Sequence, residues 1–179
     1  MIIECNEPFT PEEIDEVFEI SVRRTQYYKD PAKTLPNVFK ETTKNIIFGA
    51  VMMPVLLVLG YIAQFKIGTI VAVTLCAVII LISTLWLVAL KKAYKENKAI
   101  HSKDPRSKVE YTEEFISVET SNGTTVKIKW TDVAFIKVFN ATIGIFSSDK
   151  TRALIIPIKH WDPIAKFMED NNIIVNFYR

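Results

Sequence analysis

The chain is poor in the residues that carry most protein chemistry. Among 179 residues there are two cysteines, two histidines and five glycines. Cys5 stands in a polar flank and Cys76 in an apolar run, so they make neither a disulfide framework nor a redox pair, and both read as inert. His101 and His160 have no second ligand at metal-binding spacing. Thr142-Ile143-Gly144 is no phosphate-cradling loop, and Ser147 and Ser148 lack the strand-to-helix setting of a nucleophile elbow. His160 beside Asp162 reads as helix-entry geometry. The sequence therefore predicts no enzyme, no metal and no cofactor. A formal net charge of +2 provides no broadly basic surface for nucleic acid.

Charge is missing from one long stretch altogether. Residues 46–90 hold a single charged side chain, Lys66, within the polar break Gln64-Phe65-Lys66. A bilayer core is about 30 Å thick and a helix rises about 1.5 Å per residue, so roughly twenty apolar residues cross once. The stretch suits two crossings, 46–65 and 67–90, joined by a tight turn. The second exceeds the hydrocarbon slightly and is expected to tilt. Neither helix shows the polar face of a soluble surface helix. Neither contains Asp, Glu, His, Lys or Arg inside its apolar span. Such groups mark proton relays and ion paths, so their absence makes the hairpin an anchor rather than a transporter. Pro54 predicts a kink in the first helix. Gly49 and Gly60, with Thr69, Ala72, Thr74, Cys76, Ser83 and Thr84 of the second, read as helix-packing surface. Tyr61, Trp86 and Tyr94 fall at the interfaces.

Lys29, Lys33, Lys40 and Lys44 precede the hairpin and Lys91, Lys92, Lys95 and Lys98 follow it, against Lys66 in the turn. The positive-inside rule places both termini in the cytoplasm of a multi-pass cell-membrane protein, with Lys66 snorkelling outside. The polar residues ahead of the first apolar run predict no cleavable signal peptide. The expected division is a cytoplasmic N-terminal segment at 1–45, the hairpin at 46–90, a juxtamembrane helix extension with an Asp104-Pro105 hinge at 91–108, and a cytoplasmic domain at 109–179.

Residues 2–5 suggest a short edge strand. A helix then starts clearly: Thr10 is the N-cap, Pro11 the first helical residue and Glu13 closes a capping box, with Phe9 and Ile14 placed as a hydrophobic staple. Ile14, Val17, Phe18, Ser21, Val22 and Thr25 form one stripe, with Glu12, Asp15, Glu16, Glu19 and Arg23 opposite. Anionic lipid would repel that acidic face. The helix is instead expected to pack on the chain's own C-terminal domain, whose roughly seventy residues bury little core alone. Asp30-Pro31 and Leu35-Pro36 end it.

From residue 109 the periodicity becomes that of strands, at 109–112, 115–120, 124–130, 134–139, 142–146 and 153–157. Asn122-Gly123 signals a hairpin and Ser148-Asp149-Lys150 a turn. Val126, Ile128 and Trp130 alternate with Lys127 and Lys129, giving a buried and a wet face. Asp162-Pro163 caps a short helix with Ile164, Phe167 and Met168 inward. Asn171-Asn172 ends it before a last strand at 173–178. The fold class is thus a membrane α-helical hairpin plus an α+β cytoplasmic domain, an antiparallel sheet or partial barrel closed by a C-terminal helix.

Lys127-Ile128-Lys129-Trp130-Thr131-Asp132-Val133 and Ile155-Ile156-Pro157-Ile158-Lys159-His160-Trp161 resemble two motifs of the YcxB-like family of bacterial membrane proteins. Ile158 stands where that family has a basic residue, and Trp161 where it has Phe. The resemblance covers 109–161 and implies a pleckstrin-homology-like (PH-like) domain behind two membrane helices, with no established activity. Trp130, Asp132, Pro157 and Trp161 read as structural, Trp130 burying its ring and Asp132 capping the next turn. Lys127, Lys129, Lys137, Lys150, Arg152 and Lys159 are the candidate basic face for lipid phosphates or an acidic partner, although solvated sheet edges also use lysine. The leading expectation is a non-enzymatic membrane protein whose PH-like domain binds a protein or lipid headgroup at the inner leaflet, in immunity or stress resistance. The alternative is an accessory subunit of a pore or transporter. Membrane lipids are expected around the hairpin; a protein partner and a homo-oligomer stay open.

Overall fold

The computed structural model of the chain describes every residue except 6, 65, 104–106 and 120–123. Phe65, the Asp104-Pro105 hinge and the Asn122-Gly123 turn of the sequence reading lie outside the described residues. The chain divides into two compact units, Leu35–Glu96 and Met1–Thr34 with Asn97–Arg179.

The first unit consists of helix α2 (Val38–Ala63) and most of α3 (Lys66–Lys103). Both are long and apolar enough to cross a membrane. α2 begins ahead of the apolar stretch because the Asn37 side chain accepts the N–H groups of Phe39 and Lys40 at 3.1 and 3.2 Å, a regular N-cap. It passes helically through Pro54 and ends at Gln64, whose φ of 52° is left-handed. Less exposed residues recur at steps of three and four: Ile46, Gly49, Met53, Leu56 and Gly60 on α2, with Thr69, Val73, Cys76, Ile80, Ser83 and Leu87 on α3. That is the period of two helices sharing a seam. A side chain at Gly60 would overlap the Thr69 hydroxyl, and a Cβ at Gly49 would come 2.8 Å from Ile80 Cγ1. Phe39 and Tyr94 meet edge to face at 5.7 Å. Thr74 and Thr84, expected in the seam, are exposed instead. Each donates its hydroxyl to its own helix, to Ile70 O at 2.8 Å and Ile80 O at 2.7 Å, which satisfies the group without a neighbour.

Among the described residues the second unit holds two four-stranded sheets where one was expected. The first runs β1 (Ile2–Cys5), β2 (Ser107–Tyr111), β3 (Phe115–Glu119) and β4 (Thr125–Lys129), all antiparallel. The second has the order β7-β6-β5-β8, from β5 (Val133–Val138), β6 (Thr142–Ser147), β7 (Ala153–Pro157) and β8 (Phe177–Tyr178). β8 has two residues and lies parallel to β5, so this sheet is mixed rather than antiparallel. Trp130 leaves the strand and opens a 3-10 turn, Trp130–Asp132, that carries the chain from one sheet to the other. Tyr111, Ile116 and Ile128 of the first sheet meet Ile136, Ile143 and Ile156 of the second in one core. Helix α4 (Trp161–Asp170) closes it with Ile164 and Met168, while Phe167 sits edge to face on Tyr111. Asp162 lies inside the first turn of α4 rather than at the cap, because the 3-10 turn Ile158–His160 leads straight in.

Helix α1 (Pro11–Lys29) starts with the expected capping box and covers the outer face of the second sheet. All six residues of β6 are buried because both its faces are covered. Ile143 and Ile145 enter the core, while Phe146 lies under Tyr27 and Tyr28. The inward stripe differs from expectation in its second half: Ile20 and Tyr27 are buried and Ser21 and Thr25 exposed. Turning the larger side chains to the sheet removes more apolar area from water. Arg23, placed on the wet side by its charge, is 3 % exposed, with Nε on Glu19 Oε2 and Nη1 on Gln26 Oε1, both at 3.1 Å. Pairing of this kind lets a guanidinium lie buried on a helix.

Candidate functional site

The six basic side chains singled out by sequence are not assembled into one face. Lys137 projects from β5 toward α1 and is 4 % exposed. Its Nζ donates to Pro31 O at 2.5 Å and Lys33 O at 3.2 Å, with the Tyr27 and Phe139 rings at 5.4 and 5.7 Å. Burial lowers its pKa below the ordinary lysine value, and Asp30 opposes that shift. It ties down the segment that leaves α1 rather than greeting a ligand.

Arg152 and Lys127 are brought together at the start of β7. Arg152 Nη1 donates to the Lys127 carbonyl at 2.9 Å and Nη2 to Asp149 Oδ2 at 3.0 Å. The Lys127 ammonium stands 3.2 Å from the Phe115 ring centre, a cation–π contact. The Ser147 hydroxyl on Asp149, then Thr151 and Arg152, hold the Asp149 carboxyl well below the usual range. Lys129 and Lys150 are exposed. Lys159 lies past the other end of β7, about 16 Å away at about 3.3 Å per residue. It pairs with Glu7 at 2.5 Å, and that bond holds the Glu7 carboxyl below its ordinary value. Glu4, Glu7, Lys159 and His160 line a shallow cleft of about 280 Å³.

Of the four motif residues, Trp130, Pro157 and Trp161 pack within the fold. Trp130 is buried and donates its indole N–H to Thr112 O at 2.8 Å, pinning the β2–β3 turn. Asp132 does not cap with its side chain, which is exposed and has Thr131 Oγ1 at 3.4 Å. It is the Asp132 carbonyl that accepts, from Ser148 N–H at 2.7 Å. Pro157 is buried at the end of β7, and Trp161 opens α4 against Phe177, 5.9 Å between ring centres.

A dense polar constellation was not singled out by sequence reasoning. Glu16 of α1 accepts the N–H of Asn140 at 3.0 Å on Oε1, that of Ala141 on both oxygens at 3.1 and 3.0 Å, and that of Thr142 at 2.8 Å on Oε2. The Thr142 hydroxyl adds 2.7 Å to Oε2. Farther along α1, Arg24 reaches Thr151 O at 2.6 Å, and Tyr28 donates to Ser147 O at 2.7 Å. Burial pushes the Tyr28 hydroxyl pKa up. Only an acidic helix expected to meet a sheet hinted at this junction, since 119 positions or more separate the partners.

Among the described residues no group of three or more His, Cys, Asp or Glu side chains is placed to hold a metal ion. Comparison with family models, curated proteins and solved structures finds no match to this chain.

Proposed function

We propose that this chain is a non-catalytic, membrane-anchored binding module. α2 and α3 cross the cell membrane as a hairpin, and the flanking residues form a PH-like domain of the YcxB-like kind in the cytoplasm. The carrying observation is the exposure of the hairpin: in the most apolar window of each helix only 6 % and 0 % of residues are buried. A soluble protein does not leave so much contiguous apolar surface in water, whereas lipid covers it without further partners. The stretches before and after the hairpin in sequence build one compact unit. Such a unit requires both ends on the same side of the membrane, and the lysines flanking the hairpin favour the cytoplasm.

The object bound is a protein at the inner leaflet rather than a phosphate headgroup, in keeping with a role in immunity or stress resistance. What supports this choice is the engagement of the basic residues. Lys137 is buried on backbone carbonyls, and Arg152 and Lys159 are paired with carboxylates within the chain. The remaining exposed lysines sit among the solvated charges of a sheet surface.

The test places photo-crosslinking residues at Glu119 and Lys129 of the full chain in living cells. A discrete protein adduct is expected at one or both positions, from a chain that stays in the membrane pellet under alkaline carbonate. Adducts to lipid alone contradict the protein partner, and release by carbonate contradicts the anchor.

A further inference from the structure

We infer that the turn at 140–142 is a preorganised receptor for a carboxylate, and that Glu16 of α1 is its tethered ligand. Three consecutive backbone N–H groups and one hydroxyl converge on the two Glu16 oxygens at 2.7 to 3.1 Å. Successive N–H groups aimed at one point form an anion-binding nest, with partial charges fixed by the backbone itself.

The donors are arranged as a flat, two-oxygen anion needs. Asn140 serves Oε1, Thr142 serves Oε2 with both its groups, and Ala141 N–H bridges the two. A single carbonyl or hydroxyl oxygen would fill half of that set. The chemical class is therefore a carboxylate, from an acidic side chain or a small organic acid.

What holds the turn in shape does not involve Glu16. Phe139 N–H donates to Thr142 O at 2.8 Å, Ile158 N–H donates to Ala141 O at 2.9 Å, and Thr142 is in register with Pro157 of β7. Residues facing each other across a hydrogen-bonded antiparallel pair normally exchange two bonds. Here the N–H of Thr142 turns to Glu16 instead, so the hairpin's second closing bond is diverted to the receptor. Thr142 is fully buried, and without a carboxylate its N–H and hydroxyl would lose the acceptor they share. Any acidic segment brought to this face competes with α1 for the same four donors.

The experiment uses the full chain in mild detergent and reads amide hydrogen exchange at Asn140, Ala141 and Thr142, with sodium acetate as the probe. Glu16→Ala is expected to lose protection there by tenfold or more. Acetate at constant pH and ionic strength restores it saturably, chloride does not, and the wild type responds to neither. Equal effects of acetate and chloride, or wild-type protection in Glu16→Ala, would overturn the inference. Should Glu16→Ala unfold, Glu16→Gln keeps the shape but only one acceptor oxygen. It is expected to lose protection at the donors of one oxygen, and wild-type protection at all three amides would likewise overturn the receptor.

Discussion

Thr142 gives both its backbone and its hydroxyl hydrogen to one oxygen of Glu16, at 2.8 and 2.7 Å, across 126 positions of sequence. This pair welds the N-terminal helix to a sheet that begins only after the apolar hairpin. Hydrogen bonds to a charged acceptor contribute more than neutral ones, and deleting the acceptor strands buried donors. Glu16→Ala is expected to destabilise the unit by about 2–4 kcal/mol, and Thr142→Val, which spares the N–H, by about 1 kcal/mol. Chemical denaturation in a Trp86→Phe background, leaving Trp130 and Trp161 as reporters, measures both.

Gly144 tests the packing between sheet and helix. A Cβ there would lie 2.7 Å from Phe146 Cε2 and 3.3 Å from Phe139 Cε2. The Phe146 ring has no room to retreat, being stacked on Phe135 at 4.5 Å and edge to face with Tyr28 at 5.5 Å. Gly144→Ala is expected to cost about 1–3 kcal/mol by overpacking. Thermal unfolding of the same background checks it.

Lys137 anchors the exit of α1. Lys137→Met keeps the apolar stem and removes the ammonium, leaving the carbonyls of Pro31 and Lys33 without that donor. The expected loss is about 1–2 kcal/mol, because two carbonyls lose their donor while removal of the buried ammonium relieves its desolvation and offsets part of that cost. Limited proteolysis should show faster cutting within 30–37, while cutting elsewhere in the unit changes little.

Acid weakens the same unit through His160. Burial, seconded by Lys159, lowers its pKa below the ordinary 6.5, and Glu13 and Glu7 oppose the shift. The unfolded chain therefore takes up the proton at higher pH than the folded one. Stability from this group is full above pH 6.5, falls as pH drops from there to the folded pKa, and is constant below. Unfolding midpoints measured from pH 7.5 to pH 5 should fall more steeply for the wild type than for His160→Asn.

Local signals explain what was legible in the sequence. Thr10, Pro11 and Glu13 specify the α1 start by contacts within one turn, and the alternation around Lys127 and Lys129 specifies β4 by burial of every second residue. Contacts decided over long sequence distances were not legible. The inward turn of Tyr27 depends on Phe146 and Phe139, and the bonding of Glu16 depends on a turn beyond the hairpin. The same limit dispersed the basic residues. Lys137 reads as a surface lysine by type, yet β5 alternation aims it under α1 with Phe135. Two sheets in place of one follow from the Trp130–Asp132 turn, which no local propensity of Trp130 announced.

The central claim is that the apolar hairpin crosses the membrane twice and leaves both flanks, which form one domain, on the cytoplasmic side. It is tested most directly by single-cysteine labelling in intact spheroplasts with a membrane-impermeant maleimide, after Cys5 and Cys76 are replaced by serine and alanine. Glu12→Cys, Gln64→Cys and Asp170→Cys are the reporters. The account predicts labelling of Gln64→Cys in intact spheroplasts, and of Glu12→Cys and Asp170→Cys only after the membrane is opened. Labelling of Glu12→Cys and Asp170→Cys from opposite sides, or recovery of the chain in the soluble fraction, would contradict it.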